Sequence, residues 1–221
     1  MTLVYKFLGA STTQLFQIKI KFYPYLTQTK QYLSNFHTFA TMTRKLILSS
    51  PLLEITISRL CQELIENQIN DVETVILGLQ PRGIFFAERI AKELSKHLEK
   101  APSVGKIDAT FFRDDYRRRE TVSPNSTDVP FLIENKRVIL VDDVLATGRM
   151  VRAALDAMNS FGRPAKVELC VLIDRIYNRD LPINADYVGK SVNTLPTEKV
   201  LVEWTEQGHE ADRIWLIPQP E

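Results

Sequence analysis

The sequence predicts an α/β domain built on a mostly parallel sheet with helices on both of its faces. Short, nearly all-apolar runs recur at Thr74–Leu79, Arg137–Val141 and Val167–Ile173. Amphipathic helical periodicities separate them, and turn signals follow them, as at Gln80–Gly83 and Asp142–Gly148. Runs that are apolar at every position belong to strands buried on both faces. Their alternation with helices implies parallel βαβ units.

The chain has 221 residues, of which 44% are hydrophobic and 25% charged, ordinary values for a soluble globular domain. No window approaches the roughly 20 apolar residues of a membrane-spanning helix. Cys61 and Cys170 lie in apolar periodic segments and read as small buried hydrophobes rather than a disulfide framework or a zinc site. His37, His97 and His209 are scattered singly, which gives a His-rich metal centre no support.

Residues 1–41 read differently from the rest. They carry Lys6, Lys19, Lys21 and Lys30 and no Asp or Glu. The net charge of +1 therefore conceals a body in which 24 basic residues face 27 acidic ones. Such a body lacks the overall basic footprint of strong non-selective nucleic-acid binding. The segment has no arginine and no clean apolar core with a cleavage site, so an export signal is the least favoured reading. A flexible or docking extension ranks above it, and translation starting at Met42 ranks first. The expected division is thus a non-native or flexible extension over 1–41 and one domain over 42–221.

From about residue 51 the pattern is regular. Pro51 suits a helix start, and Leu53, Ile57, Leu60, Cys61 and Leu64 share one face. Thr74–Leu79 is the first buried strand. After the turn QPRG, Ile84, Ala87, Ala91, Leu94 and Leu98 align on a second helix. Lys106–Phe112 reads as a mixed strand, followed by a polar loop to roughly Asn135. Arg137–Val141 leads through a tight turn to a helix presenting Val151, Leu155 and Met158. Val167–Ile173 is another buried strand, and Lys199–Trp204 and Arg213–Ile217 are two shorter candidates. In such sheets ligands bind beyond the carboxyl ends of the strands. That rim collects Gln80–Gly83, Asp142–Gly148 and the stretch after Asp174.

The chemistry lies in Val138–Met150, VILVDDVLATGRM. An apolar strand delivers two carboxylates, Asp142 and Asp143, to the rim. Ala146, Thr147 and Gly148 then form a turn that opens a helix, where backbone N–H groups and a hydroxyl make an anion cradle. Gly148 lets the backbone approach a phosphate closely. Adjacent carboxylates accept hydrogen bonds from the vicinal hydroxyls of a ribose. Strand, acidic pair and turn together describe a site for a ribose 5-phosphate. No GxxxxGK[ST] or GxGxxG competes with this reading.

This segment resembles the PRPP-binding motif of type I phosphoribosyltransferases. The wider order GLQPRGI, IDATFFRDDYRR, VILVDDVLATGRMVRAALDA, GRP and LIDR…LPINADYVGK resembles the PyrR family, pyrimidine operon regulators that are also uracil phosphoribosyltransferases. The similarity runs from about Arg44 to the last strand, and residues 1–41 have no counterpart in it. It implies the type I phosphoribosyltransferase fold, with a small hood around 174–197. It also implies transfer from PRPP to uracil, giving UMP and pyrophosphate, with Mg2+ held by PRPP and water rather than by a dedicated protein site.

By the same resemblance Asp142 and Asp143 hold the ribose hydroxyls, and Val144, Leu145, Ala146, Thr147, Gly148 and Arg149 complete the PRPP site around the 5-phosphate. Met150 stands where many members have a hydroxyl residue. Pro81, Arg82 and Gly83 form the pyrophosphate turn, with Gln80-Pro81 where members often carry Lys-Thr. Arg113 begins a flexible loop that closes over the reacting centre and can neutralise pyrophosphate. Arg117, Arg118 and Arg119 read as a solvated loop face. Arg175, Tyr187 and Val188 receive the base, Tyr187 being equally readable as a core aromatic. Ile176-Tyr177-Asn178-Arg179 departs from the shorter Gly-His stretch of familiar regulators.

The implied partners are PRPP, uracil or UMP, pyrimidine-operon messenger RNA and further copies of the chain as a dimer or higher assembly, with no membrane, in the cytoplasm. Two alternatives stand beside this reading. One is a non-catalytic, nucleotide-sensing RNA-binding regulator, the other a phosphoribosyltransferase acting on a different base. An RNA hairpin needs a basic concave face. The first helix region offers only Arg44, Lys45 and Arg59 before Gln62, Glu63, Glu66 and Asn67.

Overall fold

The structure, a computed structural model, describes residues 44–67, 69, 73–114 and 124–218, together with the backbone of two strands nearer the amino terminus. The chain divides into two units, Met1–Thr41 and Met42–Glu221. In the first, β1 (Leu3–Lys6) pairs antiparallel with β2 (Leu15–Ile18), Leu3 opposite Ile18. The expectation of an extension over 1–41 otherwise lies outside the described residues.

The second unit runs β3 (Lys45–Ser49), α1 (Ser50–Glu66), β4 (Thr74–Leu79), α2 (Gly83–Leu94), β5 (Ser103–Ile107), β6 (Arg137–Leu145), α3 (Arg149–Met158), β7 (Lys166–Arg175), β8 (Tyr187–Val192), β9 (Glu198–Glu203) and β10 (Arg213–Pro218). The main sheet has five strands in the order β5-β4-β6-β7-β8, all parallel. The three all-apolar runs of the sequence are its centre. Successive residues of a strand point to opposite faces, so each run feeds two cores. Val75, Leu77, Leu79, Val138, Leu140, Leu169 and Val171 pack with α3 residues such as Val151, Ala154 and Met158. Ile76, Ile139, Val141, Cys170 and Leu172 pack with Leu60, Leu64, Phe86 and Ile90 of α1 and α2. Burying one such side chain contributes about 1.5–3 kcal/mol, so a slip of one residue in any of these strands is strongly disfavoured.

Helix α1 starts with Pro51 in its first turn, where a missing N–H costs nothing, and buries Leu53, Ile57, Leu60, Cys61 and Leu64 as the spacing predicts. In α2, Ile84, Ala87, Ala91 and Leu94 face inward, with Leu98 buried just beyond. In α3 the buried residues are Val151, Ala153, Ala154, Ala157 and Met158, while Leu155 is half-buried. No helix among the described residues is long and apolar enough to cross a membrane.

A second, antiparallel sheet has the order β3-β10-β9. Leu48 lies opposite Ile214, and Ile214 opposite Val202. Arg89 of α2 fastens it. The guanidinium stacks 4.6 Å from the Trp204 ring centroid and bonds Asp212 and Glu206 at 2.5 and 2.8 Å. Trp204 is fully buried and stacks on Phe86, centroids 6.4 Å apart.

Two expectations are corrected here. The small hood is not residues 174–197, because Tyr187–Val192 is the fifth strand of the main sheet. The separate small sheet comes instead from β3, β9 and β10. The strand expected over Lys106–Phe112 ends at Ile107 and gives way to a 3-10 turn at Thr110–Phe112. The Asp108 carboxylate accepts the Thr110 N–H at 3.0 Å and its hydroxyl at 2.6 Å. This local bonding competes with the ladder.

Candidate active site

Strand β6 runs four residues past its apolar run and carries Asp142 and Asp143 within the ladder, Asp142 opposite Val171. Asp142 is only 8% exposed and Asp143 is half-buried. The Asp142 carboxylate accepts the Asp143 N–H at 2.9 Å. Burial, followed by repulsion from Asp143, pushes the Asp142 carboxyl well above its ordinary pKa. Burial also raises Asp143, while its hydrogen bond with Asp142 and the charge of Arg82 hold it down. Without a ligand, the pair thus holds a proton more tightly than a surface carboxylate does.

The turn Gln80–Gly83 lies directly against this pair. A Cβ on Gly83 would stand 2.6 Å from the Val141 carbonyl oxygen and 2.9 Å from Asp142 Cα. Only glycine permits that approach, which sets exposed Arg82 beside the carboxylates. The Gln80–Pro81 bond is cis, and Gln80 Nε2 donates to the Ser126 carbonyl at 2.7 Å.

Beyond β6 the chain turns at Gly148, whose φ of +84° is left-handed. The Arg149 N–H donates to Thr147 Oγ1 at 3.3 Å. On the far side of this turn the Thr147 carbonyl accepts N–H groups of Asp180 and Leu181 at 3.0 and 3.1 Å. Arg179 donates to the Ala146 and Leu145 carbonyls at 2.5 and 3.3 Å.

The segment between β5 and β6 is fastened at both roots. Asp108, whose bonds to Thr110 hold the departing side, also accepts the Asn125 N–H at 2.7 Å on the returning side. Arg149 pairs with Asp114 and, at 2.9 Å, with Asp180. Arg152 donates to the Phe112 carbonyl at 3.2 Å. Asp115–Ser123, which include Tyr116 and Arg117–Arg119, lie outside the described residues.

One rim therefore unites an acidic pair, a glycine turn with an arginine, a turn that opens a helix and the two described ends of the segment between β5 and β6. Among the described residues no cluster of three or more His, Cys, Asp or Glu side chains could hold a metal ion.

The model of the phosphoribosyl transferase domain family matches residues 44–207. The chain is 43% identical over 175 residues to Bifunctional protein pyrR of Enterococcus faecalis, covering 79% of this chain and 97% of that protein. To Bifunctional protein PyrR of Listeria welshimeri it is 40% identical over 172 residues, covering 76% and 93%. The chain belongs to the PyrR family of phosphoribosyltransferases. A hypoxanthine phosphoribosyltransferase of Staphylococcus aureus shares the fold, with a TM-score of 0.59 at 20% identity over 80% of this chain and 92% of that one.

In this PyrR-family chain the rim gathers Pro81, Arg82, Gly83, Asp142, Asp143 and the turn from Val144 to Arg149, with Arg113 at the root of the loop. The three residues expected around the base lie on β7 and β8. Tyr187 opens β8 opposite Cys170, level with Val141 and one residue short of Asp142. It is buried, and its hydroxyl accepts from Arg137 Nη2 at 3.1 Å while donating to Glu168 at 3.3 Å. That polar knot, with Arg137 paired to Glu168, belongs to the core. Val188 pairs with Val171, the residue that lies opposite Asp142, and Val192 is opposite Arg175. Arg175 does stand at the rim end of β7. Its guanidinium is spent on Thr194 Oγ1 at 2.9 Å and the Glu198 carbonyl at 2.7 Å, holding the segment that enters β9.

Sequence reasoning passed over Asp108 and Arg179. The signal for Asp108 was present as a polar residue closing an apolar run just before Thr110. Arg179 lay in the stretch that departs from the family pattern, where resemblance offers no guide.

Proposed function

We propose that this chain transfers the 5-phosphoribosyl group of magnesium PRPP to uracil, giving UMP and pyrophosphate. It also senses UMP and regulates pyrimidine-gene messenger RNA, and it works in the cytoplasm as a dimer or higher assembly. The observation that carries the reading is the contact between the Gly83 turn and the Asp142 backbone, which sets a pyrophosphate-binding arginine beside carboxylates suited to a ribose.

In this account the ribose hydroxyls donate to Asp142 and Asp143, and the N–H groups after Leu145 receive the 5-phosphate. PRPP binding favours the ionised pair, because its hydroxyls supply the hydrogen bonds that burial removed. The bond from C1 to pyrophosphate breaks with its electron pair leaving on pyrophosphate. Arg82 and Arg113 stabilise that charge. N1 of uracil bonds to C1 and passes its proton to the departing pyrophosphate, while the carboxylates below the ring offset the cationic character of C1. Magnesium would be held by the phosphates of PRPP and by water, and would offset charge on the departing pyrophosphate. Closure of the loop after Arg113 excludes water from the reacting centre.

The test is UMP formation by protein beginning at Met42, with hypoxanthine, guanine and orotate as competitors. Uracil turnover unaffected by the other bases supports the reading, and turnover of another base replaces it. Gln80 favours one further reading. Its amide braces Ser126 where members often place a lysine, so pyrophosphate meets one positive charge fewer. Absent turnover, with UMP still raising Tm, assigns the chain to nucleotide-sensing regulation alone.

A further inference from the structure

We propose that Arg179 is a positioning residue that aims the phosphate cradle. This inference rests on the ribose-phosphate reading of the site. A cradle of N–H groups works only if the carbonyls of the same peptides face away from the anion. The C=O and N–H of a trans peptide are antiparallel, so fixing a carbonyl also aims the next residue's N–H.

Three consecutive carbonyls in the turn are fixed by one short segment. Arg179 Nη1 holds those of Ala146 and Leu145 at 2.5 and 3.3 Å, and the amides of Asp180 and Leu181 hold that of Thr147 at 3.0 and 3.1 Å. The N–H groups of Ala146, Thr147 and Gly148 are thereby directed to the opposite side. The brace also touches the turn, since a Cβ on Gly148 would meet Ile183 Cβ at 3.3 Å.

The guanidinium is itself anchored. Its Nη2 pairs with Asp174 at the end of β7, and its Nε donates to the Ile183 carbonyl at 2.9 Å. The ion pair is sheltered, with the two side chains 17% and 16% exposed. A rigid fork of five donors can serve strand, turn and loop together, which an ammonium group cannot. A cation behind the carbonyls further polarises the N–H groups beyond them.

The test measures binding of ribose 5-phosphate and of pyrophosphate, with steady-state constants, for wild type, Arg179→Gln and Arg179→Lys. We expect both variants to lose ribose 5-phosphate affinity by about tenfold or more. KM for PRPP should rise in parallel, while pyrophosphate affinity and KM for uracil stay within about twofold. A residue needed only for folding would instead lower every affinity through the folded fraction. Folded variants with wild-type ribose 5-phosphate affinity overturn the inference. If both variants misfold, Asp174→Asn decides. It leaves the guanidinium in place without its carboxylate anchor, and it must weaken ribose 5-phosphate selectively or the inference fails. Wild-type protein that binds neither ribose 5-phosphate nor PRPP overturns the underlying reading of the site. A deficit confined to the Arg179 variants leaves that reading intact.

Discussion

An alanine at position 83 sets its methyl group 2.6 Å from the Val141 carbonyl oxygen and 2.9 Å from Asp142 Cα. Both neighbours are backbone atoms of the central strand and cannot rotate aside. Non-bonded carbon contacts are comfortable near 3.5 Å, so the Arg82 turn and the acidic pair must separate by about 0.5–1 Å. Overpacking of this kind costs about 1–3 kcal/mol. In a domain of this size each kcal/mol lowers Tm by roughly 2–4 °C. The fold should therefore survive, whereas a misplacement approaching 1 Å at a reacting centre can cost about a hundredfold in rate. Gly83→Ala should accordingly give a folded protein whose kcat/KM for PRPP falls by about one to two orders of magnitude, with weaker pyrophosphate inhibition. Thermal melting and initial rates at varied PRPP measure both effects. A variant with wild-type melting and wild-type kcat/KM would refute the reasoning, because the turn could then move without consequence.

Burial and Asp143 raise the Asp142 carboxyl, so the ligand-free folded protein binds a proton that the unfolded chain has already released. That contribution to stability is complete below the ordinary carboxylate range and is lost as pH rises through the raised pKa. Asp142→Asn should therefore flatten the fall of Tm with pH in a series of thermal melts. It should also stabilise the ligand-free protein at pH 8, because the amide removes a charge that burial and Asp143 disfavour. Tyr187→Phe should cost about 0.5–1.5 kcal/mol, the net worth of a typical hydrogen bond. Because the hydroxyl serves Arg137 and Glu168, KM for uracil should not change. Asp108→Ala should speed limited proteolysis between Thr110 and Asn125 while the melting transition stays cooperative, since the carboxylate holds both roots of that loop.

The central sheet was legible because β4, β6 and β7 are apolar at nearly every position and depend on no distant partner for their pattern. The acidic pair and Gly148 were legible for a related reason, since strand, carboxylates and turn are contiguous in the sequence. Lys45–Ser49 was missed, because its ladder is made with β10 from the other end of the unit. The same non-local pairing hid the composition of the small sheet. Tyr187 was readable both as a base contact and as a core aromatic, because a strand's pattern does not tell what a buried hydroxyl bonds; here it bonds Arg137 and Glu168. Arg179 and Asp108 act through carbonyl and amide groups of other segments, and backbone groups leave no mark in a sequence.

The most direct test of the account is UMP formation from uracil and magnesium PRPP by the wild type and by the Asp142→Asn, Asp143→Asn double variant, each checked for a cooperative melt. The account predicts turnover by the first and a folded but inactive second. A double variant that forms UMP at the wild-type rate would make the acidic pair structural and contradict the assignment of the site.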